Sequence, residues 1–120
     1  MEFKAFKMDG LGNDFVIIDE RFDKINLSNN DIIKICNRKF IGCDQLIIIR
    51  EADQNDAELI FYNSDGSLAG ACGNGTRCVA YLLSKENNKN LITLKTLGGI
   101  LESKIYENQI IETKIGPGKL

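Results

Sequence analysis

Gly70-Ala71-Cys72-Gly73-Asn74-Gly75-Thr76-Arg77-Cys78 is a run of small residues that opens onto Thr76 to Lys85, where Val79, Leu82 and Leu83 recur at helical spacing. The helical pattern gives out at Glu86-Asn-Asn-Lys-Asn90. Strand-like runs lie on both sides of it, so this segment reads as a helix with a sheet around it. Upstream, residues 2–8 alternate polar and apolar, the mark of a half-buried strand. Asp14 to Glu20 is a second strand, and its continuously apolar Phe15-Val-Ile-Ile18 implies cover on both faces. Ser28 or Asn30 caps a helix through about Asn37, with Ile32, Ile33 and Cys36 on its inner side. Gln45 to Arg50 and residues 57–62 are further strands, the second closed by the turn Asn63-Ser-Asp-Gly-Ser67. Downstream come strands at 91–96, 100–106 and 109–115, split by apparent hairpin turns at Gly98-Gly99 and Glu107-Asn108.

The expected class is therefore α+β: short, largely antiparallel strands packed around a central helix. Residues 1–115 read as one domain. Pro117, the only proline, stands between Gly116 and Gly118, so 116–120 reads as the start of a linker.

Composition narrows the function. The chain has 120 residues, 43% hydrophobic and 27% charged, which is ordinary for a globular domain. Fifteen basic residues against seventeen acidic ones leave a net charge of −2 with no basic run, against a nucleic-acid or anionic-membrane surface. The N-terminus has no apolar signal region, and a cytoplasmic location is expected. Histidine is absent, which removes Ser-His triads, imidazole bases and mixed Cys/His zinc sites. The four cysteines, Cys36, Cys43, Cys72 and Cys78, contain no CxxC pair and read as free thiols. Taken singly, each is better read as a small buried hydrophobe.

Cys72 has a neighbourhood that changes those odds. A helix beginning just after it presents unpaired N–H groups and the positive end of a dipole, ready for a carboxylate or phosphate. The same end lowers a thiol's pKa and raises its thiolate fraction. A packed glycine-rich turn and a reactive thiol weigh equally on this segment alone. A phosphate loop fits poorly, because Thr76-Arg77 stands where Lys then Ser/Thr is needed. Asn13, Gln45 and Asn63 each sit at a strand end, where neutral amides suit a zwitterion because each both donates and accepts. Singly each is an ordinary turn residue; together beside the thiol loop they point to a site.

Lys7-Met-Asp-Gly-Leu-Gly-Asn-Asp-Phe15, Gly42-Cys-Asp-Gln45, Tyr62-Asn-Ser-Asp-Gly-Ser67 and Ala71-Cys-Gly-Asn-Gly-Thr-Arg-Cys78, in this order, resemble the N-terminal half of the diaminopimelate epimerase family. The resemblance implies epimerisation of one α-carbon of diaminopimelate, LL to meso, for lysine and peptidoglycan synthesis, with no pyridoxal phosphate and no metal. By resemblance Cys72 is one of two catalytic cysteines, and Asn13, Gln45, Asn63, Gly73 and Asn74 contact substrate. Cys78 belongs to the motif without being a catalytic thiol. Inverting an α-carbon takes a proton from one face and returns one to the other, hence two acid/base groups.

The chain departs from the family at three points. Asp9 and Lys39 stand where the family usually has histidines. The stretch Arg38 to Gln45 is one glycine shorter than usual. The family is about twice as long, and its opposite-face cysteine and a Glu-Arg pair come from a second domain. Cys78 lies about 240° round a helix from Cys72 and cannot serve the same carbon. The expectation is half an active site, with the second domain and a small amino acid as partners and self-association of two copies. The alternatives are a non-catalytic amino-acid-binding remnant and a related isomerase of the proline racemase type.

Overall fold

The computed structural model describes residues 2–10, 12–22, 24–70, 73–105 and 111–119. The strands are β1 (Glu2–Gly10), β2 (Asn13–Asp19), β3 (Gln45–Arg50), β4 (Ala57–Asn63), β5 (Leu68–Ala69), β6 (Leu91–Thr96), β7 (Gly99–Lys104) and β8 (Ile111–Lys119). Two helices join them, α1 (Asn29–Cys36) and α2 (Gly73–Asn87). The sheet order is β7-β6-β4-β3-β2-β1-β8, with β5 beside β4. Only β2–β3 and β4–β6 are parallel among the described pairs, so the sheet is largely antiparallel, as expected.

The central strands are apolar without interruption because both their faces are covered. Phe15, Ile17, Ile47, Ile49, Leu59 and Phe61 point to one side and pack with Val79, Ala80 and Leu83 of α2. Val16, Ile18, Leu46 and Ile48 point to the other and pack with Ile32, Ile35 and Cys36 of α1. Each such fully buried side chain contributes about 1.5–3 kcal/mol by leaving water. α1 is the crossover that a parallel β2–β3 pair requires. Its start is fixed by a capping box: Asp31 N–H donates to Ser28 Oγ at 3.1 Å, and Ser28 N–H donates to the Asp31 carboxylate at 3.0 Å. The inner face is Ile32, Ile35 and Cys36; Ile33, expected there, is 42% exposed. Positions i, i+3 and i+4 share a stripe, and Ile33 falls at its rim beside Gly66.

α2 begins at Gly73, three residues before the segment read as helical, and ends where expected. Asn88 takes a left-handed φ of 54°, and Lys89 N–H reaches back to the Ser84 carbonyl at 3.3 Å. That is a helix stop in which asparagine replaces glycine. No helix among the described residues is long and apolar enough to cross a membrane.

The sheet curls around α2. β7 and β8 stand at opposite ends of the strand order, six neighbour steps apart. Laid flat, those steps span roughly 29 Å at the usual strand spacing. Lys104 and Ile111 are joined by a connection whose reach is at most about 24 Å. The edges must therefore approach each other, and α2 accordingly packs on β1, β2 and β6 together.

Two expectations change here. The last two strands do not pair as a hairpin: β8 pairs with β1, from Asp9↔Ile111 to Glu2↔Lys119. Gly116-Pro117-Gly118 lies within that strand, Pro117 opposite Lys4, so the segment read as linker is in the sheet as far as Lys119. Proline is tolerated because β8 is an edge strand, where a missing N–H donor costs little. The expected turn at Glu107-Asn108 lies outside the described residues.

Candidate active site

The alternation that fills the core also builds the site. Asn13 precedes Phe15 and Ile17 by even steps, Gln45 precedes Ile47 and Ile49, and Asn63 follows Leu59 and Phe61. All three therefore share the α2 face of the sheet. β2 and β3 begin, and β4 ends, at the same edge: Phe15 pairs with Gln45, which pairs with Asn63. Three amides thus form a polar step at one end of an apolar floor. Gln45 Nε2 donates to Asn63 Oδ1 at 3.4 Å, and Asn63 Nδ2 donates to Ser67 Oγ at 3.1 Å.

The N-terminus of α2 comes down beside this row. Asn74 Nδ2 donates to Asn13 Oδ1 at 3.1 Å. Close approach depends on Gly75: a Cβ there would stand 2.9 Å from Ile47 Cδ1, 3.0 Å from Phe61 Cε2 and 3.2 Å from Phe15 Cε1. Gly73 is the opposite case, since a Cβ there would meet nothing within 4 Å. The first turn of the helix carries no acidic side chain. The feature is an anion-compatible helix end flanked by neutral amides.

A charged clamp holds the row in register. Arg38 donates to both oxygens of Asp14, through Nη1 and, at 3.0 Å, Nη2; the latter also reaches Asp44 Oδ1 at 3.2 Å. Asp14 N–H donates to Asp44 Oδ2 at 3.1 Å, and Asp44 N–H returns the bond to Asp14 Oδ1 at 2.9 Å. Lys7 Nζ lies 3.4 Å from Asp14. The Arg38 hydrogen bonds, opposed by partial burial and reinforced by the Asp44 N–H and Lys7, hold the Asp14 carboxyl well below the usual carboxylate range. Asp14 and Asp44 adjoin Asn13 and Gln45, so the clamp fixes two site residues at once. Local sequence pattern does not join these residues; the available signal is an acid at the start of each of two adjacent strands, with an arginine six residues before the second. The short Arg38–Gln45 stretch still delivers Gln45 opposite Asn63. It does so through Gly42, whose φ of 82° and close approach to Arg38 Cα leave no room for a side chain.

Comparison with known proteins gives this arrangement its kin. The sequence profile described as diaminopimelate epimerase matches residues 5–120. The chain belongs to the diaminopimelate epimerase family. Diaminopimelate epimerase of Pelagibacter ubique is 62% identical over 120 residues, covering 100% of this chain and 44% of that protein. Diaminopimelate epimerase of Acidiphilium cryptum is 41% identical over 115 residues, covering 95% of this chain and 42% of that one. The chain thus spans less than half the length of these relatives. A phenazine biosynthesis PhzF-family protein of Enterococcus faecalis shares the fold, with a TM-score of 0.69 at 14% identity over 89% of this chain and 42% of its own.

Within this member of the diaminopimelate epimerase family, the expected site residues divide. Asn13 and Asn74 touch; Gln45 and Asn63 touch; Gly73 heads the helix beside them. Cys72, the expected catalytic thiol, lies outside the described residues. Cys78 is fully buried in the core under α2. Cys36 and Cys43 lie on the other side of the sheet, packed with α1. No described cysteine faces the amide row.

Proposed function

We propose that this chain supplies one half of the active site of a cofactor-independent diaminopimelate epimerase, interconverting the LL and meso forms. Cys72 is one of its two acid/base thiols. The other thiol, with a Glu-Arg pair, belongs to a second domain for which the greater length of the relatives leaves room. In this reading, residues 1–115 belong to the first domain, whose sheet continues through Lys119, and the second domain follows.

The chemistry follows from what the site must do. Removing an α-proton leaves negative charge that spreads into the substrate carboxylate. The N–H end of α2 at Gly73 and Asn74 opposes that charge without needing a metal or pyridoxal phosphate. Asn13, Gln45 and Asn63 hold the zwitterion by donating to its carboxylate and accepting from its ammonium group. The Cys72 thiolate takes the proton from one face, while a protonated thiol on the other face returns one. The two thiols leave the turnover with their protonation states exchanged, and proton exchange with solvent resets them.

The observation that carries this reading is the convergence of three strand-end amides and the α2 N-terminus directly after Cys72. A cytoplasmic location fits it. Exposed Leu97 and Ile100 of the β6–β7 hairpin offer apolar surface for self-association. The test joins residues 1–120 in register to the remainder of the Pelagibacter relative and follows α-deuterium incorporation into the meso product formed from LL-diaminopimelate in heavy water. Exchange is expected from the fusion and is lost in Cys72→Ala. Retained exchange in that variant, or full activity from the 120 residues alone, would sink the proposal.

A further inference from the structure

The sheet face opposite the site holds a second pair of thiols. Cys36 ends α1, and Cys43 follows the short loop that leads into β3. Their side chains are 4% and 2% exposed, and their Sγ atoms stand 3.4 Å apart. The backbone fixes this approach, since Cys43 N–H donates to the Cys36 carbonyl at 3.2 Å and Gly42 N–H donates to that of Ile35 at 3.0 Å. Residues linked by one such bond have Cα atoms inside the roughly 4.4–6.8 Å that a disulfide spans. Closing the pair requires the sulfurs to approach to about 2.05 Å. Side-chain rotation and a small movement of the 37–41 loop, exposed from Asn37 to Phe40, supply that.

From this geometry we infer that Cys36 and Cys43 are a peroxide-sensitive thiol pair that closes reversibly to an intramolecular disulfide. The chemistry balances with hydrogen peroxide as oxidant. The Cys36 thiolate attacks one peroxide oxygen and the O–O bond breaks; hydroxide leaves, and Cys36 becomes a sulfenic acid. Cys43 sulfur then attacks the Cys36 sulfur. The S–O bond breaks, the S–S bond forms, and the two thiol protons end in two molecules of water. Cys36 suits the first role: the hydrogen bond from Cys43, opposed by burial and helped by the charge of Arg38, lowers its thiol pKa, while the same hydrogen bond and burial raise that of Cys43. Hydrogen peroxide, with only two heavy atoms, is small enough to reach the pair by way of the loop, where Asn37 to Phe40 are all exposed. Cys43 is two residues from Gln45, so closure pulls on the strand end that carries the amide row.

This pairing is independent of the proposed epimerase role and is tested on the 120-residue chain itself. Trypsin cuts after Lys34, Arg38 and Lys39, and so separates Cys36 from Cys43. After native treatment with stoichiometric hydrogen peroxide, residues 35–38 are expected to appear linked to residues 40–50, and dithiothreitol separates them. In Cys43→Ser, Cys36 stops at the sulfenic acid and is labelled by dimedone. Unoxidised Cys36 and Cys43, or a bridge from either to Cys72 or Cys78, would overturn the inference.

Discussion

Asp14 shows how a residue that contacts no substrate in the proposed reaction controls those that do. Its carboxylate is shared by Arg38, Lys7 and the Asp44 N–H, and its neighbours Asn13 and Gln45 depend on that arrangement. A carboxyl whose pKa is lowered by folding stabilises the fold above its unfolded pKa of about 3.9 and loses that contribution as pH falls through the folded value. Asp14→Asn is therefore expected to lower the urea midpoint at pH 7, with the gap from the parent chain shrinking below about pH 4. A gap unchanged between pH 7 and pH 3 would show that the clamp does not act through charge. Individual amides were legible because each closes or opens an apolar strand beside a turn. The clamp was not, because it depends on which strands become neighbours, and local pattern carries no such information.

At the level of elements, the seating of α2 decides whether a site exists. Gly75 stands on Phe15, Ile47 and Phe61, one from each strand that supplies a site amide. Gly75→Ala would gain helix propensity of at most about 1 kcal/mol. Against that, a methyl 2.9 Å from Ile47 Cδ1 overpacks the core, a change that typically costs about 1–3 kcal/mol. The expected net result is a loss of about 1–2 kcal/mol in chemical denaturation, together with a longer Asn74–Asn13 contact. A variant as stable as the parent would mean that the floor yields easily. The elements were readable where period and punctuation agreed, as in β2, β3, α1 and the Asn63–Ser67 turn. Ile33 misled because three isoleucines within four positions fit more than one stripe, and only the packing of α1 on the sheet decides that Ile32 and Ile35 face in and Ile33 faces out. The first turn of α2 was obscured by its two glycines, both poor helix formers, of which Gly75 is needed for close contact with the sheet.

For the whole molecule, class and central helix were legible, while the pairing of the last strand was not. Residues 100–115 look like a hairpin because strands near in sequence usually pair, yet the curl of the sheet offers β8 the free edge of β1. That pairing joins two strands far apart in sequence, Glu2–Gly10 and Ile111–Lys119. Until Ile111 to Lys119 have left the ribosome, β1 has a partner on one side only, β2, and its other edge remains open. Such long-range closure is slow, because ordering of the ends precedes any reward from the contact. Closure of this sheet is accordingly expected to follow the emergence of β8 rather than to accompany that of β1. Pulse-labelled amide exchange should show protection of the β2–β3–β4 centre before the outer edge of β1. A nascent chain at that stage displays β1 with one unpaired edge, the kind of edge to which holding chaperones and misassembled copies both bind.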